Sequence, residues 1–139
     1  MTDDVTYRGT VYPWHCDQNG HMNVMWYVGK FDEATWHLFA SIGLTSRYLR
    51  DHQRGMAAVE QHISYKRELL AGDIVEVRSR FLEVRDKVVR FAHEMRNAAD
   101  GEIAAVCELV GVHIDTEARK STPLAPEIRN RATGMIATE

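Results

Sequence analysis

Between His15 and Asn23 the chain reads His-Cys-Asp-Gln-Asn-Gly-His-Met-Asn, so that His15, Cys16, Asp17 and His21 can each bond a proton or a metal within one short loop. A carboxylate beside an apolar helix start is partly desolvated, which alters its acidity and its nucleophilicity according to its neighbours. If a helix opens after the loop, its first free amides, around Val24, present donors and a positive dipole end to an oxygen gaining negative charge. That pairing suits acyl transfer. Gly20 lets the backbone approach a substrate closely, and His21 is placed to orient either the carboxylate or an acyl carbonyl. Other chemistry fits the same residues. Cys16 with His21 as base would make a thiol nucleophile, His15, Cys16, Asp17 and His21 supply donors for a metal without matching a zinc spacing, and Asp17 alone could simply bond nearby loop amides.

A helix is the element that would position this loop. Asn23 is an N-cap residue by type, and Val24, Tyr27, Val28, Phe31, Ala34, Leu38, Phe39 and Ile42 then recur at spacings of three and four, which predicts one broad apolar face. Lys30, Asp32, Glu33 and His37 fall mostly between those positions. Gly43 sits where a left-handed residue closes a helix. Ser46 is expected to cap a short turn through His52, and Pro126 to open a short helix through Arg131.

So wide a stripe must be covered by a larger surface, and the rest of the chain supplies strands. Val5 to Tyr12 reads as a first strand ended by Pro13. After Gly55 the period becomes two: Ala57, Val59, Gln61, Ile63 and Tyr65 form one face, with Ala58, Glu60, His62, Ser64 and Lys66 on the other. Ile74–Val84, Val88–Arg96 and Ile103–Ile114 continue the pattern, separated by Leu70-Ala71-Gly72-Asp73, Arg85-Asp86-Lys87 and the hairpin signal Ala99-Asp100-Gly101. The order predicts an α+β fold in a single domain spanning 1–139, an antiparallel sheet of about five strands around one long helix.

Bulk composition agrees. A chain of 139 residues with 45% hydrophobic and 27% charged residues has the make-up of an ordinary globular domain. Seventeen basic against twenty acidic residues leave a net charge of -3, which offers no excess with which to neutralise a nucleic-acid backbone. The acidic opening Met-Thr-Asp-Asp-Val has neither a signal peptide nor a transit peptide pattern, and no apolar run is long enough for a membrane span. A cytoplasmic address is expected, with Cys16 and Cys107 as free thiols. His62 and His93, isolated polar residues in strands, read first as structural histidines.

Asp17, Gly20, His21, Asn23 and Tyr27, followed by Phe31, Asp32, Glu33 and Ala34, resemble the opening motif of hotdog-fold acyl-CoA thioesterases of the 4-hydroxybenzoyl-CoA thioesterase type. Tyr65-Lys66-Arg67 and Gly72-Asp73 extend the likeness. The resemblance implies a long central helix wrapped by an antiparallel sheet and an acyl-CoA substrate, with coenzyme A as part of that substrate and no separate cofactor or metal. It makes Asp17 the catalytic carboxylate, as nucleophile or general base, with His21 beside it and the Val24 amide as oxyanion donor. It also implies a homodimer or homotetramer with sites across the subunit interface. Gly20, Asn23, Tyr27, His62, Ser64, Lys66 and Arg67 are then expected to bind substrate, some of them from the second chain; Lys66, Arg67, Arg85, Lys87 and Arg90 are candidates for the coenzyme A phosphates. Two departures bear on the substrate: Val24 replaces the second asparagine of the motif, and Thr35-Trp36 stands where an arginine often follows alanine. Trp26 and Trp36 would narrow an acyl pocket or fill a subunit contact. The same fold also serves hydratases or dehydratases, which need a paired His and carboxylate, and non-catalytic acyl-CoA binding modules.

Overall fold

The computed structural model describes residues 4–136; Met1 to Asp3, within the acidic opening segment, and residues 137–139 lie outside the described residues. In chain order the elements are β1 (Asp4–Thr10), a 3-10 turn (Pro13–His15), α1 (Val24–Ser41), α2 (Ser46–Asp51), β2 (Arg54–Tyr65), β3 (Ile74–Val84), β4 (Val88–Asn97), β5 (Ile103–Asp115), β6 (Lys120–Ser121) and α3 (Pro126–Gly134). The strands form one six-stranded sheet in the order β1-β3-β4-β5-β2, with β6 added to the end of β5. Every pairing is antiparallel. This is the expected α+β class. Among the described residues α1 is not the one helix of the fold: α2 and α3 accompany it, where the short turn after Ser46 and the short helix from Pro126 were expected.

The inner face of the sheet follows the period-two pattern. Val75, Val77, Ser79 and Phe81 of β3 and Val89, Phe91, His93 and Met95 of β4 are all buried. Against them α1 lays Tyr27, Phe31, Ala34, Leu38 and Phe39, each large side chain contributing ~1.5–3 kcal/mol by leaving water. Phe39 meets Phe91 edge to face at 5.2 Å. The helix begins at Asn23, whose side chain accepts the Met25 N–H, and ends before Gly43 at φ +96°. The cap of α2 is Thr45, which accepts from Tyr48, and not Ser46.

Three sequence-based expectations are corrected. Val24 and Val28, placed on the buried face by their spacing, are 55% and 37% exposed. Val24 is the first residue of α1, at the helix end where the sheet no longer covers the stripe, and Val28 lies toward the edge of that stripe; with Met25 and Trp36 they form an exposed apolar flank of α1. Lys30 is buried: its stem packs inward and its ammonium bonds the Tyr7 hydroxyl at 3.1 Å and lies 5.3 Å from the centre of that ring, as a long aliphatic stem allows. The alternation of β2 breaks at a bulge, since Ala58 pairs with Gly111 and Glu60 with Val110, leaving Val59 as the extra residue.

One buried polar chain links α1 to the sheet. The Ser79 hydroxyl lies 2.6 Å from Thr6 and 2.5 Å from His93 Nδ1, while His93 Nε2 lies 2.8 Å from the Thr35 hydroxyl. Thr35 donates its own proton to the Phe31 carbonyl, so His93 must donate from Nε2 and accept at Nδ1. His93 is therefore the structural histidine expected. No helix is long and apolar enough to cross a membrane among the described residues.

Candidate active site

The loop between the 3-10 turn and α1 closes on itself through backbone bonds. Asp17 N–H donates to His21 O, Gly20 N–H to Asp17 O, and Asn23 N–H to His15 O. Gly20 takes φ +87° with open space around its Cα, a conformation that side chains with a Cβ resist. The loop is then tied to the 66–73 segment, with Met22 N–H donating to Leu69 O and Gly72 N–H to Val11 O. Lys66 and Arg67 N–H both donate to Ala104 O, which anchors that segment to β5.

Within this frame the Asp17 carboxylate is fixed at both oxygens. Oδ1 accepts the Asn19 N–H at 2.8 Å and Oδ2 accepts Asn23 Nδ2 at 2.7 Å. These bonds, the Asn23 one foremost, hold its pKa below the usual carboxylate range, so Asp17 is an anion at neutral pH. Each oxygen keeps a second lone pair, available to a water or an acyl carbon. The first amide of α1, Val24 N–H, makes no hydrogen bond among the described residues, as the opening amides of a helix leave intrahelical bonding unmet.

A cleft of ≈ 280 Å³ adjoins this helix end, lined by His21, Met22, Val24, Tyr27, Tyr65, Lys66, Arg67 and Glu68. It brings together His21, Val24, Tyr27, Lys66 and Arg67 from the sequence-based set, with Asp17, Gly20 and Asn23 in the loop that ends at its wall. Tyr27 is buried, donates to the Arg67 carbonyl at 3.1 Å and crosses Tyr65 edge to face at 5.0 Å; burial pushes its phenol up to about 12, so it stays protonated. The His21 ring lies 3.7 Å from Glu68 and makes no hydrogen bond to Asp17 or Cys16 among the described residues. Arg67 pairs with Glu102 at 2.9 Å, whereas Lys66 is exposed and has no ion pair among the described residues.

Two expected residues lie elsewhere. His62 is exposed on β2 opposite Glu108 and lines a separate cleft with Glu60, Gln61 and Arg90. Ser64 sits half-buried on β2 opposite Val106. Cys16 and Cys107 are unpaired, and no group of three potential metal ligands converges among the described residues. Tyr65, Met22 and Glu68 line the cleft without having been singled out individually as site residues; Tyr65 and Met22 lie within the two motif segments, and Glu68 follows directly after one of them.

Comparison with known proteins gives this arrangement a family. Residues 11–132 match the thioesterase-like superfamily. The betainyl-CoA thioesterase of Pseudomonas aeruginosa is 28% identical over 130 residues, which cover 94% of this chain and 82% of that protein. The L-carnitine dehydrogenase/betainyl-CoA thioesterase of Agrobacterium fabrum is 33% identical over 123 residues, 88% of this chain, and this chain spans only 25% of its length. A Staphylococcus aureus protein solved in complex with CoA superposes with a TM-score of 0.91 at 20% identity, covering 100% of this chain and 90% of that one, a likeness of fold. The match runs through the loop, α1, strands β2 to β6 and most of α3, and on that evidence the chain belongs to the thioesterase-like superfamily.

Proposed function

We propose that this protein hydrolyses an acyl-CoA thioester to the free acid and coenzyme A, with Asp17 acting on the thioester as nucleophile or as general base toward water. The observation that carries this reading is the ionised Asp17 carboxylate, clamped by Asn19 and Asn23 beside the unbonded first amide of α1. A carbonyl seated between them meets an anion on one side and a donor for its developing oxyanion, the Val24 N–H, on the other. Coenzyme A leaves as a thiolate, a low-pKa leaving group that needs little proton assistance, so one carboxylate and a helix end suffice. The chemistry calls on no metal and no cofactor beyond the coenzyme A of the substrate. Lys66, exposed at the cleft, is suited to a phosphate oxygen of that carrier, and Tyr27 and Tyr65 wall the acyl end.

The site reads as part of a homodimer. Val24, Met25, Val28 and Trp36 expose an apolar flank of α1, and Asp32 and Trp36 share a cleft with Met56, Ala57, Ala58 and Gln61 of β2. β2 is an outer strand of the sheet, so its free edge and this flank make one continuous surface for a second copy. His62 and Ser64 would then serve the partner's site.

A thiol-release screen over acyl-CoAs tests the activity, with betainyl-CoA, named for two relatives, alongside short, branched and aromatic acyl groups. Thiol release lost in Asp17→Asn supports the reading. Reversible hydration of enoyl-CoA without thiol release, or tight acyl-CoA binding with no turnover of any substrate, overturns it in favour of a hydratase or a binding module.

A further inference from the structure

We propose that Asn23 is a positioning residue for the reaction: one side chain caps α1 with its oxygen and holds the Asp17 carboxylate with its nitrogen, so that the carboxylate and the oxyanion amide are carried by a single joint. The inference rests on the thioesterase reading for its catalytic meaning and on geometry for its substance.

The geometry leaves the amide one orientation. Asn23 Oδ1 accepts the Met25 N–H at 2.8 Å and Nδ2 donates to Asp17 Oδ2 at 2.7 Å. Turned over, it would set a donor against the Met25 N–H and an oxygen against an ionised carboxylate, and neither contact is tolerable. Capping alone does not require Asn. Ser and Asp cap equally well, and Asp would gain further from the positive end of the helix dipole. Among these cap residues only the amide carries its acceptor and its donor on separate atoms, one turned to the helix and the other to the carboxylate. The backbone reinforces the joint, since Asn23 O accepts the Trp26 N–H and Asn23 N–H donates to His15 O. Val24, whose N–H is the proposed oxyanion donor, follows directly in the chain.

Asn23 also holds the pKa of Asp17 down, together with the Asn19 amide. The other titratable groups of the loop are His15, Cys16 and His21, of which His21 acts on the carboxylate by charge, and the adjoining cleft adds Tyr27, Tyr65, Lys66, Arg67 and Glu68. The first turn of α1 carries no acidic side chain.

Asn23→Ser keeps a cap and withdraws the Nδ2 donor, leaving a hydroxyl on a stem one atom shorter; Asn23→Asp keeps a cap and puts an anion against the carboxylate. In both variants the melting temperature is expected to stay near wild type. The plateau of kcat/KM is expected to fall on the order of tenfold or more in Asn23→Ser, because the carboxylate is no longer held in line. The acid limb of the profile should move to higher pH in Asn23→Ser and further in Asn23→Asp. Titration of the Asp17 carboxyl carbon by NMR should move in the same direction in both. An NMR midpoint and an acid limb that stay at their wild-type positions in both variants overturn the proposal, as does a fall in activity that only tracks a fall in melting temperature. If wild type hydrolyses no acyl-CoA, the thioesterase reading fails separately, and the NMR midpoints alone decide the role of Asn23.

Discussion

Asp17 is a carboxylate whose surroundings favour its charge, bonded at both oxygens and half-exposed at a helix start. A pKa held below the usual carboxylate range makes it a weaker base but keeps it fully ionised well below neutrality, so the reaction should run on a flat plateau from mildly acidic pH upward until another group titrates. Asp17→Asn is nearly isosteric and keeps an acceptor for Asn23. It is expected to lower kcat by ~10²-fold or more with an unchanged melting curve, checked by thiol release and thermal unfolding; near-wild-type turnover would remove Asp17 from the mechanism. Residue types and spacing made Asp17, Gly20 and Asn23 legible, because a glycine and a cap residue announce a turn and a helix start. The Asn23 to Asp17 bond was not legible, since it depends on the loop closing through Asp17 and His21 backbone groups. His21 stood out by type and turns instead toward Glu68, a residue that the chain brings near only through the Met22 to Leu69 bond.

At the scale of the element, α1 serves as core and, in the proposed reaction, as donor. Its N-terminus permits an unusually clean test, because Asn23 adopts φ -73° and ψ 151°, the extended backbone that a following proline requires. Proline is accepted at the first position of a helix, where the lost N–H has no intrahelical partner. Val24→Pro is therefore expected to leave α1 folded while removing the proposed oxyanion donor, with kcat falling by roughly 10²–10³-fold. Circular dichroism and steady-state kinetics check the two halves; unchanged kcat in a folded variant excludes the Val24 amide. The extent of α1 was readable from its apolar period, its cap and Gly43. Its exposed flank was not, because periodicity reports which residues are apolar and cannot say which side a second copy would cover. The bulge at Val59 escaped for a related reason, as period two carries no sign of an inserted residue.

For the whole molecule, the expected dimer and the pH response are both written in what the fold leaves open or shuts away. Val59 stands 57% exposed on the outer strand β2. A charge there opposes edge pairing without entering the core, so Val59→Lys is expected to convert a wild-type dimer to folded monomers in sedimentation velocity. A monomeric wild type, or a variant of unchanged mass, would remove this edge as the interface. His93 shuts protons out. It lies buried between Thr35 and Ser79 and stacks against Phe31 at 5.6 Å, and burial pulls its imidazole from 6.5 down to about 3. The folded state thus holds it neutral where the unfolded chain takes up a proton. Its contribution to stability is whole above pH 6.5 and is lost as pH falls from there toward about 3. With one extra proton bound by the unfolded state, the loss approaches ~1.4 kcal/mol per pH unit and amounts to about 2 kcal/mol by pH 5. Urea unfolding at pH 7 and pH 5 measures it. His93→Gln, which cannot take up that proton, should be less stable at pH 7 for want of the imidazole's fit, yet lose less stability on acidification than wild type; an equal loss in both proteins would place the acid sensitivity in other groups.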